Sequence, residues 1–203
     1  MTTLVAISDT HGRHRSVDVP DGDILVHAGD FSSFGSEDDL EDFNSWLGSL
    51  PHAEKIVVAG NCDHICETSP AEVRALLTEA HYLQDSAVEI AGLKFWGSPW
   101  QPIFHHMAFN LPRGEALAEK WAMIPADTDV LVTHGPPHGI LDRTSRGQQV
   151  GDRALLARVT EVKPTCHIFG HVHESSGMVE QQGTCFINAA CNAAGDRPFV
   201  YEL

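Results

Sequence analysis

Leu4-Val5-Ala6-Ile7-Ser8-Asp9-Thr10-His11-Gly12 decides how the rest of the chain is read. Apolar residues lead into a carboxylate and an imidazole two positions apart, closed by a glycine. A short apolar run bounded by turn residues reads as a buried strand. The same grammar recurs downstream. Ile24-Leu25-Val26-His27-Ala28 ends at Gly29-Asp30, and Ile56-Val57-Val58-Ala59 ends at Gly60-Asn61-Cys62-Asp63. Val130-Leu131-Val132-Thr133 runs into His134-Gly135-Pro136-Pro137, and His167-Ile168-Phe169 into Gly170-His171-Val172-His173. Ligand sites of α/β sheets lie outside the carboxyl ends of strands, and glycine there permits a tight turn and close backbone approach.

Between these runs the period changes. Leu40, Phe43, Trp46 and Leu47 mark one face of a helix over 37–50. Ser69-Pro70 opens a second helix carrying Val73, Leu76, Leu77 and Ala80. Helices are also expected over 114–123 and 152–162, and a hairpin over 87–90 and 93–97 around Ala91-Gly92. Further strands fall over 129–133, 165–169, 177–179, 184–188 and 199–201. Strand-helix alternation with a strand-rich end predicts an α/β or α+β sandwich with helices outside. No Pro/Gly/Ser linker or repeat divides the chain, so residues 1–203 read as one domain.

Composition narrows the function. The 203 residues suffice for one core without staples. Against 28 acidic residues stand only 13 basic ones, and a net charge of −15 repels duplex nucleic acid and anionic membranes. The five cysteines are odd in number and scattered, without a CxxC pair, which argues against a disulfide framework or zinc knot. The first apolar run is too short for a signal peptide and no stretch approaches a membrane span. A reduced, cytoplasmic, soluble protein is expected. The 13 histidines are the unusual number.

Asp9, His11, Asp30, Asn61, His134, His171 and His173 form a mixed oxygen and imidazole donor set without thiolate. Such sets suit manganese first here, with iron, zinc, cobalt or nickel as alternatives, better than calcium or magnesium. Seven donors exceed one four-coordinate ion; with one bridging carboxylate they serve two. Paired divalent ions clamp the attacking and leaving oxygens of a phosphoryl displacement. Two such cations against two aspartates leave the cleft near +2, so an acidic protein still attracts phosphate.

At this point the residues resemble the calcineurin-like metallophosphoesterase superfamily, whose ordered signature is D-x-H, G-D, G-N-H-[D/E], a lone histidine beside glycine, and G-H-x-H. Here it stands as Asp9-Thr10-His11, Gly29-Asp30, Gly60-Asn61-Cys62-Asp63, His134-Gly135 and Gly170-His171-Val172-His173. Phe43-Asn44-Ser45-Trp46-Leu47, Gly97-Ser98-Pro99-Trp100-Gln101-Pro102 and Thr133-His134-Gly135-Pro136-Pro137 are similar to the narrower MPPED-type group, associated with phosphodiesters including cyclic nucleotides. The resemblance implies a four-layer sandwich of two mixed sheets flanked by helices. It implies Asp9, His11 and His173 on one metal, Asn61, His134 and His171 on the other, Asp30 bridging, and a metal-bridging hydroxide as nucleophile. Asp30, Asn61, Cys62 and His134 are then the catalytic group. No ferric-tyrosinate site is supported, because Ser33 stands where purple acid phosphatases carry tyrosine.

Cys62 departs from the pattern. Histidine at that place contacts phosphate and helps the leaving group, whereas an ordinary thiol adds no positive charge and donates a proton poorly at neutral pH. The substrate expected is a small or nucleotide-type phosphodiester. A monoesterase, a nuclease and a non-catalytic scaffold of the same fold remain alternatives. Arg13 and Arg15 follow His11 and are candidates for a substrate phosphate. Trp100, His105 and His106, beside Phe104, are candidates for an aromatic wall against a nucleobase. Asp63 is expected to orient a ligand or its loop; His14, His27, His52, His81 and His167 are read as satisfied or surface side chains.

Overall fold

The apolar runs form the strands expected of them, because each can bury its side chains only between layers. The computed structural model describes residues 2–191 and 196–203. In chain order it contains β1 (Thr3–Ile7), β2 (Ile24–His27), α1 (Glu37–Ser49), β3 (Glu54–Val57), α2 (His64–Thr68), α3 (Pro70–Leu76) and β4 (His81–Tyr82). Then follow β5 (Ser86–Ile90), β6 (Leu93–Ser98), β7 (Gln101–Pro102), β8 (Asn110–Leu111), α4 (Glu115–Ala122) and β9 (Val130–Thr133). α5 (Arg153–Val162), β10 (Cys166–Phe169), β11 (Gly177–Gln181), β12 (Thr184–Asn188) and β13 (Phe199–Glu202) complete the described elements.

Two large mixed sheets result. One has the order β13-β1-β2-β3-β4, parallel except for β13. The other has the order β11-β12-β10-β9-β6-β5, with four parallel central strands and antiparallel edges at β11 and β5. Alternation along each strand sends successive side chains to opposite faces. Leu4, Ala6, Ile24, Val26 and Ile56 therefore meet Phe95, Val130, Val132, Ile168 and Ile187 in a core between the sheets. Val5, Ile7, Leu25 and Val57 face outward and pack against Leu40, Phe43 and Leu47 of α1 and Val73 of α3. On the far side Trp96, Leu131, Phe169 and Phe186 receive Leu117 and Trp121 of α4 and Leu155 and Val159 of α5. The four layers run helix, sheet, sheet, helix.

The differences from the sequence reading are local. α3 stops at Leu76, with Leu77 as its cap, so the apolar spacing that continued to Ala80 marks packing after the helix has ended. The α2 turn and the two-residue strands β4, β7 and β8 are too short to carry a period.

Candidate metal centre

β1, β2 and β3 are parallel, as are β9 and β10 in the facing sheet, so the loops after them collect at one edge of the sandwich. Asp9 and His11 follow β1, Asp30 follows β2, and Asn61, Cys62 and Asp63 follow β3. His134 follows β9, and His171 and His173 follow β10. The glycines of the motifs have a steric reason. A Cβ on Gly60 would lie 2.2 Å from Asp30 Oδ1, and one on Gly170 would lie 2.1 Å from Asp9 Oδ2. Asp9, His11, Asp30 and His171 all take positive φ, between 45° and 67°. Side-chain-bearing residues adopt this region at a cost, and such strain persists where surrounding structure enforces it.

The side chains converge. His173 Nε2 lies 3.1 Å from Asp9 Oδ1 and 3.4 Å from His11 Nε2. His11 Nε2 is 3.9 Å from Asp30 Oδ2, whose other oxygen is 3.5 Å from His134 Nε2. Asp30 thus stands between the two histidine groups. His134 donates Nδ1–H to the Ala28 carbonyl at 3.0 Å, and its Nε2 lies 3.0 Å from Asn61 Oδ1. That separation suits a proton on Nε2 or a cation held by both atoms, and a backbone carbonyl fixing the far nitrogen is the usual support of a ligating histidine. His171 lies against His134 with ring centroids 5.1 Å apart, and the His171 backbone N–H donates to Asp9 Oδ2 at 2.9 Å. The donor set fits metal. Three clusters among the described residues are close enough for one ion: Asp9 with His11 and His173, Asp9 with Asp30 and His134, and His11 with Asp30 and Cys62.

Burial and charge oppose each other here. Burial works to raise the Asp9 carboxyl, but the His173 hydrogen bond and the nearby charges of His134 and His173 hold it well below the usual carboxylate range. Burial would lower His134 and His173; the Asp9 and Asp30 carboxylates outweigh it and raise both. Burial and the Asp30 carboxylate push the Cys62 thiol well above its ordinary value. Asp63 is fully buried and accepts the Gly60 N–H at 2.7 Å, the Ser32 N–H at 2.9 Å and the Ser32 hydroxyl at 2.7 Å. It ties the loops after β2 and β3 together.

A cavity of about 400 Å³ opens over these groups, lined by His11, Asp30, Asn61, Cys62, His171 and His173. Its other wall holds residues to which the sequence reading gave no role: Met107, Thr144, Val150, Val172 and Glu174, with Phe104 beside them. Phe104 and Met107 come from the loop between β7 and β8 and Thr144 and Val150 from the loop between β9 and α5, while Val172 and Glu174 flank His173. Arg15 does not line this cavity; its guanidinium is paired with Asp42 of α1 at 2.8 Å. Trp100 does not line it either, because its indole N–H binds Asp85 and Lys120 covers its ring. Arg13, His105 and His106 are exposed and outside the lining. The histidines expected to be satisfied have partners: Asp42 for His14, Thr10 for His27, the Pro20 carbonyl for His52, Glu54 for His81 and Thr133 for His167.

The family model for calcineurin-like phosphoesterases matches residues 2–175, and the chain belongs to that family. It is 41% identical to human metallophosphoesterase domain-containing protein 1, over 97% of this chain and 68% of that one. It is 43% identical to the UPF0046 protein K07C11.7 of Caenorhabditis elegans, over 98% of this chain and 74% of that one. The structure resembles that of TT1561 of Thermus thermophilus, with a TM-score of 0.68 at 13% identity over 98% of both chains. A solved archaeal phosphodiesterase superposes with a TM-score of 0.52 at 16% identity over 99% of both chains. These structural likenesses extend to the fold. No helix among the described residues is long and apolar enough to cross a membrane.

Proposed function

We propose that this protein is a phosphodiesterase with a two-metal centre, hydrolysing small or nucleotide-type phosphodiesters, cyclic nucleotides among them, as one domain over residues 1–203. The observation that carries this reading is the convergence of donors from both sheets: His11, Asp30, Asn61, His171 and His173 line one cavity beside Cys62, and the buried Asp9 and His134 lie against His173 and Asn61. Asp9, His11 and His173 would hold one ion, and Asn61, His134 and His171 the other, with Asp30 between them. Two divalent ions there, manganese first among the candidates, would supply Lewis acidity and hydroxide at neutral pH. The chain's own contribution is position. The Ala28 carbonyl orients His134, and the Cys62 N–H holds Asp30 Oδ1 at 2.7 Å.

Cys62 decides between ester classes. Cysteine, unlike histidine, brings no positive charge to the second negative charge of a monoester, and its thiol gives little help to a basic leaving group. This favours diesters. The scattered cysteines support a reducing compartment, and we place the protein in the cytoplasm on that ground. With added Mn²⁺ the protein is expected to cleave bis-p-nitrophenyl phosphate faster than p-nitrophenyl phosphate, and Asp30→Ala and His134→Ala are expected to lose turnover. Cys62→His is expected to shift the ratio toward the monoester. An enzyme that preferred monoesters would defeat the role given to Cys62; equal inertness of wild type and both variants across metals would leave a scaffold.

A further inference from the structure

The cavity over the metal centre has two unlike walls. One carries the donor groups. The other is mostly apolar, with Phe104, Met107, Val150 and Val172, and includes Thr144 and Glu174. Phe104 stays 45% exposed, an unfavourable place for a bare aromatic ring, yet it stands edge-on to His171 with centroids 5.2 Å apart. Its position is held by the Asn110 side chain, which accepts the Phe104 N–H at 3.0 Å and donates to the Phe104 carbonyl at 3.3 Å. Val150 comes from the opposite side, on a hairpin in which Arg143 pairs with Gln149. The buried Asp142 carboxylate closes the base of that hairpin by accepting the N–H groups of Gly139 and Gly151 at 2.8 and 3.0 Å. Arg113 donates to the carbonyls of Val150 and Gly151. Both sides of the apolar wall are therefore anchored by hydrogen bonds.

Charge on this wall is as informative as its apolarity. Among the described residues no lysine or arginine lines the cavity, and the one charged side chain beyond the donor groups is the carboxylate of Glu174. A second anionic group on a substrate would find no cation among these side chains and one like charge. A neutral apolar group would cover Phe104, Met107 and Val150 and remove them from water.

We propose that the ester group this cavity accepts is uncharged and apolar, an aryl or alkyl group seated against Phe104, Met107 and Val150. The inference rests on the diesterase reading and adds the class of alcohol in the ester. Within the diesters of that reading it selects esters of apolar alcohols over cyclic nucleotides, and it excludes polynucleotides and nucleotides carrying further phosphates.

Binding to the manganese-loaded protein, measured by titration calorimetry at times short against hydrolysis, tests it through affinity rather than turnover. Diphenyl phosphate is expected to bind at least about tenfold tighter than dimethyl phosphate. Bis(4-carboxyphenyl) phosphate, of similar size but with added charge, is expected to lose that advantage. Phe104→Ala should reduce the diphenyl-to-dimethyl ratio to about threefold, and Phe104→Leu should restore most of it. Equal affinities, absence of saturable diphenyl phosphate binding, or a ratio unchanged in Phe104→Ala overturns the proposal. If the ratio holds while bis-p-nitrophenyl phosphate is not cleaved, the catalytic reading fails and the wall stands. If cleavage occurs with a ratio near one, the wall fails and the catalytic reading stands.

Discussion

Gly60 shows how a single missing methyl group shapes the centre. A Cβ there would meet Asp30 Oδ1 at 2.2 Å, Asp30 N at 2.4 Å and His134 Cε1 at 2.7 Å, and two of those three atoms belong to side chains proposed as ligands. The Asp30 nitrogen is backbone, so a shifted rotamer offers no relief. Gly60→Ala is expected to leave a folded protein whose manganese content after dialysis falls at least about tenfold. Gly177→Ala is the control, since its nearest neighbour would be an ordinary 3.7 Å contact with Leu141. Full metal retention in Gly60→Ala, by elemental analysis, would contradict the crowding argument. The sequence motif already displayed Gly60, Asn61 and Asp63, because a glycine, an amide and a carboxylate closing an apolar run are a local signal. It could not display that the atom Gly60 must avoid belongs to Asp30, on the loop after a different strand. Arg15 is the converse case. Its place after His11 suggested phosphate, yet Asp42 on α1 takes its guanidinium, and only the packing of α1 brings that carboxylate near.

At the scale of elements, α1 depends on both its face and its start. Leu40, Phe43, Trp46 and Leu47 bury one stripe against the sheet. At the N-terminus the Ser36 hydroxyl accepts the Asp39 N–H, and the Asp39 carboxylate accepts the Ser36 N–H, both at 3.1 Å. This reciprocal pair satisfies two backbone donors that the helix itself cannot. Ser36→Ala is expected to cost about 1 kcal/mol, a fall in Tm of roughly 2–4 °C for a chain of this size, measurable by thermal denaturation. Because Ser36 and Asp39 act on each other, Ser36→Ala/Asp39→Ala should cost less than the two single losses combined. Long amphipathic helices and buried parallel strands were legible along the chain for one reason. Each repeats a pattern over enough residues to exceed chance. The hairpin carrying Thr144 and Val150 was not legible, since its register is set by Asp142 and Arg113 from outside the turn.

For the whole molecule the interior has a pH limit. His167 on β10 is fully buried, with Nε2 2.9 Å from the Thr133 hydroxyl and Nδ1 without a partner among the described residues. Burial alone lowers it from 6.5 to about 3. Burial is also the chief cause that lowers His27 to about 3. A base whose folded value is depressed takes its proton more readily in the unfolded chain. The stability these histidines contribute is therefore complete above pH 6.5 and is lost as pH falls from there toward 3. Each is expected to cost about 1.4 kcal/mol per pH unit in that window. Urea unfolding at successive pH values should show the slope, and His167→Leu should flatten it by one histidine's share; an unchanged slope would remove His167 as a cause.

The chain by itself determined which residues end its strands, because a strand's burial and the polarity of the turn after it are properties of neighbouring positions. That was enough for the layered fold and for the donor residues to be written down. Only the tertiary structure decided which donors face one another, which arginine is diverted, and which apolar side chains wall the cavity. Those relations depend on strand order and on facing sheets, and no spacing within a single loop encodes the distance between two of them.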